Sequence, residues 1–306
     1  YWTPIRDSSL SCQARVKKNV WDENLKQLVA IRFTEQFRLP RKKGKERFLL
    51  ESKFEFAKEL VKKAGQYILD HMQEDLCVET KSSPTDLVTR LDKEVQELLV
   101  GEILSRYPED KICAEEGCLR ASVQEGKVWV IDPIDGTNNF VAQQEDFAIM
   151  LAYFESGEGQ FALIYDVAKG DCYHGGGAFP VCLNERPLPA FKRKPLRDFL
   201  IAVNAGMLEK NEWGVADLGR AALGVRVYGS AAISFARILS GRLLTYVTYL
   251  QPWDYAAASI LGESLGYEVV TLSGQALDFK TRQAVMMLPL EMQEEIQSYI
   301  YERKRT

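Results

Sequence analysis

Two aspartates flank a proline at the end of an apolar run. Residues 128–131 read Val-Trp-Val-Ile, and Asp132-Pro-Ile-Asp135-Gly136-Thr137 follows directly. Proline fixes its own φ angle and removes a backbone donor, whereas glycine permits a turn that other residues resist. The pattern predicts a buried strand that ends by presenting two carboxylates on one turn. An Asx turn would explain a single Asp-Gly pair. The doubled aspartate favours a metal site, because two buried negative charges are costly unless a cation lies between them.

Three further acidic clusters are spread along the chain. They are Glu115-Glu116, Asp254 at the start of an alanine-rich stretch, and Asp86 with Asp92. Each has an ordinary explanation: a solvated loop explains the glutamates, and a helix cap explains Asp254 because a carboxylate suits the positive end of a helix dipole. Together with the first motif, however, the clusters predict one site built from oxygen ligands.

The motifs resemble those of the inositol monophosphatase family in their order and approximate spacing. The residues that carry the resemblance are Lys81-Ser-Ser-Pro-Thr-Asp86-Leu-Val-Thr89-Arg-Leu-Asp92, Glu115-Glu116, Asp132-Pro-Ile-Asp135-Gly136-Thr137 and Trp253-Asp254-Tyr-Ala-Ala, with a further match at Gly229-Ser230-Ala231. The resemblance runs from about residue 51 to the end of the chain. It implies an α/β (α+β layered) fold, an α-β-α-β-α sandwich of two sub-domains.

The resemblance also implies roles for individual residues. One ion would be held by Glu115, Asp132 and the Ile134 carbonyl, and a second by Asp132, Asp135 and Asp254. The catalytic residues implied are Thr137, which would orient the attacking water, Asp92 as a proton relay, Glu115 as the base and Lys81 near the phosphate. The substrate contacts implied are Asp135, Gly136, Thr137, Gly229, Ser230, Ala231 and Asp254.

The proposed ligands are hard oxygen donors without imidazole or thiolate. Such ligands suit Mg²⁺, and Mn²⁺ is a plausible substitute. We therefore expect two or three Mg²⁺ ions. The expected function is a Mg²⁺-dependent phosphomonoesterase that hydrolyses a small phosphorylated metabolite, inositol-phosphate-like or a sugar phosphate, by activating water between two ions.

Several alternatives stay open for the substrate and the function. A 3′-phosphoadenosine or NADP-type phosphatase and a fructose-bisphosphate phosphatase are alternatives within the same chemistry. A non-catalytic RNA-binding regulatory protein that reuses the fold is an alternative of a different class. A serine hydrolase is excluded, because both histidines, His71 and His174, precede the Gly-Glu-Ser264-Leu-Gly string, and a helical stretch precedes that serine where an elbow needs a strand.

Val247 bears on substrate choice. Inositol-selective relatives carry a glutamate seven residues before the aspartate of the Trp-Asp motif, and here that position is Val247. Valine cannot accept hydrogen bonds from sugar hydroxyls. If Val247 lines the mouth of the site, we expect no special preference for inositol phosphate.

Charge composition and the positions of prolines divide the chain into three parts. Residues 1–50 carry 12 Lys/Arg and 5 Asp/Glu, a basic balance, and do not resemble the family, so we expect a non-native extension. Prolines and a basic run near residue 190 predict a boundary between an α/β sub-domain over 51–190, with most of the ligands, and one over 191–306, which supplies Asp254. The predicted strands are 128–131, 147–154, 160–167, 199–204, 225–228, 243–249 and 267–272. The predicted helices are two apolar-periodic stretches starting near residues 54 and 88, and 230–240, 253–265 and 288–303.

The overall composition is that of a globular enzyme. Of the 306 residues 46% are hydrophobic and 27% are charged, and no apolar run is long enough to span a bilayer. The six cysteines show no zinc spacing, which favours reduced thiols in the cytoplasm. We expect a homodimer without a membrane partner, and nucleic acid is not the expected ligand.

Overall fold

The computed structural model describes residues 44–81, 86–273 and 275–301. Its helices in these ranges are α1 (Lys45–His71), α2 (Arg90–Arg106), α3 (Thr137–Gln143), α4 (Ala205–Glu209), α5 (Val215–Ala221), α6 (Ala231–Leu239), α7 (Pro252–Glu263) and α8 (Gln293–Gln297). Short 3₁₀ turns cover Leu196–Asp198, Glu212–Gly214 and Leu290–Met292.

The strands form two large sheets and one small ribbon. They are β1 (Glu79–Thr80), β2 (Leu87–Val88), β3 (Lys111–Ala114), β4 (Lys127–Asp135), β5 (Ala148–Glu155), β6 (Glu158–Asp166), β7 (Asp171–Gly176), β8 (Phe179–Leu183), β9 (Arg186–Pro187), β10 (Leu200–Val203), β11 (Gly224–Arg226), β12 (Tyr246–Leu250), β13 (Tyr267–Thr271) and β14 (Gln283–Pro289). The first sheet has seven strands in the order β3 to β9, and the second has five in the order β11-β10-β12-β14-β13.

Both sheets mix parallel and antiparallel pairs. In the first sheet β3 and β4 are parallel, and the remaining strands form an antiparallel meander. In the second sheet β11, β10 and β12 are parallel, and β14 runs antiparallel between β12 and β13. The carboxyl ends of β10 and β12 therefore meet at one edge of the second sheet, where polar side chains from both strands can face one cavity.

Three hydrophobic cores separate the layers. Helices α1 and α2 cover one face of the seven-stranded sheet, around the fully buried Trp129 and Phe161. Helices α6 and α7 lie between the two sheets, where Phe235, Tyr255 and Ile260 are buried. The far face of the five-stranded sheet packs against α4, α5 and α8. The layers follow the order α-β-α-β-α, so the predicted layered α/β fold is confirmed.

Most predicted elements around the site are present, but the prediction of one helix is wrong. The helix predicted over 288–303 is instead the end of β14, a 3₁₀ turn and the short α8. Most of strand β14, residues 283–287, was assigned to no element. It pairs on both sides and is buried on both faces, so its apolar sequence carries no alternation that identifies a strand. The other elements that were not predicted are the strands β1, β2, β3, β7, β8 and β9 and the helices α3, α4 and α5.

Helix α1 begins earlier than its apolar periodicity suggests. It starts at Lys45, and Leu50 is already buried in the core. The predicted boundary at residue 50 therefore falls within a helix, while residues 1–43 lie outside the described ranges. The predicted division near residue 190 falls in the connection between β9 and the turn at Leu196–Asp198, and it remains a prediction. No helix in the described parts of the chain is long and apolar enough to cross a membrane.

Candidate active site

The Asp-Pro-Ile-Asp motif forms the last part of strand β4. The pairing of β4 with β5 is interrupted between Asp132 and Asp135, and Gly136 then turns the chain with a φ of 87°. A side chain at Gly136 would be strained by this angle, and its Cβ would lie 2.9 Å from the Cβ of Ser230. Helix α3 begins at the next residue, Thr137. The sequence motif thus produces the predicted strand end and turn.

Asp254 reaches the same place from the other half of the molecule. It is the third residue of α7, and its Oδ2 accepts a hydrogen bond of 2.8 Å from the backbone N–H of Gln251. One carboxylate oxygen from each of Asp132, Asp135 and Asp254 lies within 4.8 Å of the others. Oδ1 of Asp132 is buried and has no hydrogen-bond partner among the described residues. A buried acceptor of this kind among three carboxylates fits a cation.

Electrostatics in the cluster point the same way. Burial, followed by the charges of Glu115 and Asp135, raises the pKa of both Asp132 and Asp254 well above the usual value. Burial also raises the pKa of Asp135 to about 6, although hydrogen bonds from Ser230 and from backbone N–H groups oppose the rise. The carboxylates are therefore hard to ionise together unless positive charge enters the cluster.

Asp135 is held by the start of helix α6. Its carboxylate accepts hydrogen bonds from the Ser230 hydroxyl and from the backbone N–H groups of Ala231 at 3.2 Å and Ala232 at 2.9 Å. Ser230 is also the N-cap of the helix and is buried. Of the three predicted substrate contacts in this segment, Gly229 and Ala231 line the cavity described below, whereas the Ser230 side chain is engaged by Asp135.

Glu115 and Lys81 form an ion pair beside the aspartates. Lys81 Nζ lies 2.7 Å from Glu115 Oε1 and also contacts Glu116. The two glutamates raise the pKa of Lys81, although burial opposes them. Lys81 is therefore charged at neutral pH. Glu115 lines the same cavity as the three aspartates, so the structure brings the predicted glutamate and the predicted aspartates together.

Thr137 and Asp92 meet although 45 residues separate them. The Thr137 hydroxyl lies 3.2 Å from Asp92 Oδ1 and 3.1 Å from the Ile134 carbonyl oxygen, so it can donate to either. Asp92 is fully buried and forms a capping box with Thr89 at the start of α2. Burial raises the pKa of Asp92 to about 6, against the hydrogen bonds from Thr89.

A cavity of about 220 Å³ lies among these groups, although Lys81, Asp92 and Ser230 do not line it. It is lined by Glu115, Asp132, Ile134, Asp135, Gly136, Thr137, Asn204, Gly229, Ala231, Tyr246, Thr248, Tyr249, Leu250 and Asp254. Sequence reasoning missed the wall formed by Asn204 and residues 246 and 248–250. The available signal was that Asn204 follows β10 and the other residues belong to β12, and these two strands are parallel neighbours.

The expectation that Val247 lines the mouth of the site is wrong. Its side chain is fully buried in the core on the far face of the five-stranded sheet, opposite to the cavity. Successive side chains of a strand point to opposite faces, so the neighbours Tyr246 and Thr248 face the cavity instead. Substrate choice must therefore be argued from those residues.

Comparison with known proteins gives one consistent result. The model of the Inositol monophosphatase family matches residues 49–305. The chain is 39% identical over 238 residues to an inositol-1-monophosphatase of Bacillus subtilis, covering 76% of this chain and 90% of that protein. It is 30% identical over 227 residues to a fructose-1,6-bisphosphatase/inositol-1-monophosphatase of Thermotoga maritima, covering 73% and 86%.

Solved structures agree in fold. An IMPase/NADP phosphatase complexed with Mg²⁺ and phosphate is similar with a TM-score of 0.77 at 27% identity, covering 84% of this chain and 100% of that chain. Inositol monophosphatase II from Staphylococcus aureus is similar with a TM-score of 0.74 at 30% identity, covering 82% and 96%. The similarity therefore extends over both large sheets and the site between them.

Proposed function

This chain belongs to the inositol monophosphatase family and is a phosphomonoesterase acting on small phosphorylated metabolites, and from that premise we propose how its residues divide the work. The observation that carries the proposal is the mutual approach, within 4.8 Å, of oxygens from Asp132, Asp135 and Asp254. A surface cluster of acids would be solvated and apart. Here the carboxylates are gathered in a cavity, with one oxygen of Asp132 left without a partner in the described chain.

We assign the ligands of two Mg²⁺ ions as the sequence motifs imply. Glu115, Asp132 and the Ile134 carbonyl would hold one ion, and Asp132, Asp135 and Asp254 would hold the other. All five residues line the one cavity, which supports the assignment. When bound, two such ions lower the pKa of water and neutralise the oxygen of the leaving group. A third ion and replacement by Mn²⁺ remain open.

Thr137 is proposed to orient the water that attacks phosphorus. When its hydroxyl donates to Asp92, the oxygen lone pairs are left to accept a hydrogen bond from that water. The buried Asp92 would then relay a proton, and Glu115, which lines the same cavity, would act as the base.

The scissile phosphate is proposed to lie against the turn that follows the aspartates. Backbone N–H groups of Gly136 and Thr137 would donate to its oxygens, because successive N–H groups in such turns form an anion-binding concavity. Lys81 would add positive charge from the far side of Glu115. Its ion pair with Glu115 and Glu116 supports a second role, which is to hold these glutamates in place.

The physiological substrate is proposed only as a class. Inositol phosphate, fructose bisphosphate and NADP fit the names of the relatives. Other sugar phosphates and 3′-phosphoadenosine compounds are the further candidates from the sequence. The wall formed by β12 and the residue after β10 offers an amide at Asn204 and hydroxyls at Tyr246 and Thr248, whereas the Tyr249 hydroxyl donates to Glu212. Such groups suit a polar, hydroxyl-bearing substrate.

A phosphatase panel tests the proposal directly. Inositol 1-phosphate, glycerol 2-phosphate, fructose 1,6-bisphosphate, 2′-AMP and NADP would each be assayed with Mg²⁺ and with EDTA. We expect hydrolysis of at least one substrate, lost in EDTA and restored by Mg²⁺. Hydrolysis that persists in EDTA would refute the two-ion assignment. No hydrolysis together with tight, salt-sensitive RNA binding would favour the non-catalytic alternative.

The homodimer and the cytoplasmic location predicted from the sequence also stay proposals. Light scattering on the purified chain would measure the oligomeric state. Fractionation of the producing cell would measure the location. Neither outcome changes the assignment of the site.

A further inference from the structure

Arg120 connects the loop that carries Glu115 to the helix that carries Asp254. Its Nη2 donates to the Glu115 carbonyl oxygen at 3.0 Å, and its Nη1 contacts the Ala114 carbonyl oxygen. The same guanidinium lies over the ring of Trp253, 4.7 Å from the ring centroid. No carboxylate lies within 4.0 Å of Arg120 in the described parts of the chain. These contacts, rather than a salt bridge, therefore occupy the side chain.

We propose that Arg120 is a positioning residue for ion binding, which holds the Glu115 backbone against Trp253 and so fixes Glu115 relative to Asp254. The inference rests on the proposed function, because it matters only if these two carboxylates share a site with a cation. Arg120 touches no reacting atom. It acts through the two elements that it joins.

The Glu115 loop needs such a restraint on its outer side. On its inner side, Glu115 N–H bonds the Ile131 carbonyl at 3.1 Å, which ties the loop to strand β4. Beyond Glu115 the chain turns at Gly117, with a φ of 73°, and returns to pair beside β3 at Arg120. Glu115 thus lies at the start of a tight loop, and the Arg120 side chain closes that loop across its carbonyl groups.

Trp253 provides a flat aromatic surface next to Asp254, a proposed ion ligand. It is the second residue of α7, directly before Asp254, and it packs against the core between the two sheets. A guanidinium can donate in its plane and stack through its face at the same time, whereas an ammonium has neither the plane nor the fork. Arginine is therefore suited to join two carbonyl groups to an aromatic ring, and lysine is not.

The test is to measure ion binding in variants of the full chain. Arg120→Gln removes the stacking and the two-armed donation, and Arg120→Lys keeps only the charge. The matched control is Arg106→Gln, another exposed arginine whose guanidinium lies 5.2 Å from the centroid of the Phe56 ring but away from the site. Mn²⁺ affinity would be measured by calorimetry without substrate. The Mg²⁺ concentration for half-maximal activity would be measured beside it.

We expect Arg120→Gln to weaken Mn²⁺ binding and raise the Mg²⁺ requirement by about tenfold, as loss of a residue behind metal ligands does. The turnover number at saturating Mg²⁺ should stay within about twofold, because no catalytic group is removed. Arg120→Lys should resemble Arg120→Gln, and Arg106→Gln should resemble the unsubstituted chain. In a double-mutant cycle with Trp253→Leu, the double variant should bind Mn²⁺ no more weakly than whichever single variant has the lower Mn²⁺ affinity.

The outcomes separate this inference from the proposed function. An unchanged ion affinity in Arg120→Gln with a lowered melting temperature in EDTA would leave a structural role only and overturn the inference. Additive effects of Arg120→Gln and Trp253→Leu would overturn the connection through Trp253. Absence of any Mg²⁺ requirement in the unsubstituted chain would instead refute the proposed function itself.

Discussion

Asp132 and Asp135 are close in sequence but have different surroundings. The Asp135 carboxylate is hydrogen bonded by the start of α6, whereas Oδ1 of Asp132 has no partner among the described residues. A buried charge without partners destabilises the fold unless a cation binds. Asp132 therefore has the clearest conflict between stability and ion binding.

Asp132→Asn should make the ion-free protein more stable and the enzyme less active. We expect phosphatase activity to fall by orders of magnitude, because the charge proposed to contact both ions is lost. In EDTA the free energy of unfolding should rise by about 1–3 kcal/mol, since an amide can donate to the neighbouring carboxylates. Denaturant unfolding in EDTA measures the second effect. A less stable Asp132→Asn protein in EDTA would contradict the account of carboxylate repulsion.

Thr137 can be tested by its hydroxyl alone. Thr137→Ala removes the group that contacts Asp92, and we expect the turnover number to fall about 10²–10⁴-fold, the usual range for a residue in proton transfer. Thr137→Ser keeps the hydroxyl and is the matched control, with a loss of less than about tenfold. Both are measured at saturating Mg²⁺. Equal activities of the two variants would show that the hydroxyl does not orient water.

At the scale of elements, strand β12 decides which side chains reach the substrate. Val247 is buried against the far core, while Tyr246 and Thr248 line the cavity. The register follows from pairing with β10 on one side and β14 on the other. A one-residue shift would exchange the two faces. Position in a motif therefore does not reveal orientation on a strand.

Val247→Glu tests this orientation. We expect the free energy of unfolding to fall by about 3 kcal/mol or more, because a carboxylate would be buried without a partner. The matched control is Val225→Glu on the edge strand β11, where the side chain is half-buried and the cost should be smaller. Denaturant unfolding compares the two. A stable Val247→Glu protein with improved use of inositol phosphate would place residue 247 in the site after all.

The sequence predicted the carboxylate cluster better than the walls of the cavity. Asp132, Asp135 and Thr137 could be predicted because one local turn positions them and because glycine and proline identify such turns. Asn204 and Tyr249 could not, since only the pairing of distant strands brings them to the cavity. For the same reason the buried central strand β14 was not predicted.

For the whole molecule, ion binding should be linked to pH. The pKa of Asp135 in the folded state is about 6, above its ordinary 3.8, with burial as the main cause. A raised pKa means that the folded protein binds the proton more tightly. Its contribution to stability is therefore present at low pH and is lost as the pH rises from about 4 through 6. A cation should replace the proton above that range.

We therefore expect the stabilisation by Mg²⁺ to grow with pH. At a fixed Mg²⁺ concentration, the rise in melting temperature over the EDTA sample should be small at pH 5 and larger at pH 7.5, because protons compete for the carboxylates at low pH. Thermal unfolding in both buffers measures it, with Asp132→Asn as the control that loses the difference. The same Mg²⁺ effect at both pH values would contradict the linkage.

The start of helix α1 sets a limit for truncation. Deleting residues 1–43 should leave activity and stability nearly unchanged, because α1 begins at Lys45 and the family match begins at residue 49. Deleting residues 1–50 should cost about 1.5–3 kcal/mol, because the buried side chain of Leu50 is lost with the first helical turns. Thermal unfolding of both truncations measures the difference. Equal stabilities would show that Leu50 is not part of the core.

The hydrogen bonds between Asp135 and α6 have a consequence for the descent of this chain. Asp135 has a role in the fold besides its proposed role as an ion ligand, since it satisfies backbone donors of a buried helix. Asp132 has no such second obligation, and its loss relieves a buried charge. Gene copies that drift away from catalysis should therefore lose Asp132 early and retain Asp135. Asp135 retained in such a copy then indicates only common descent. Asp132 is the position that indicates whether catalysis is still under selection.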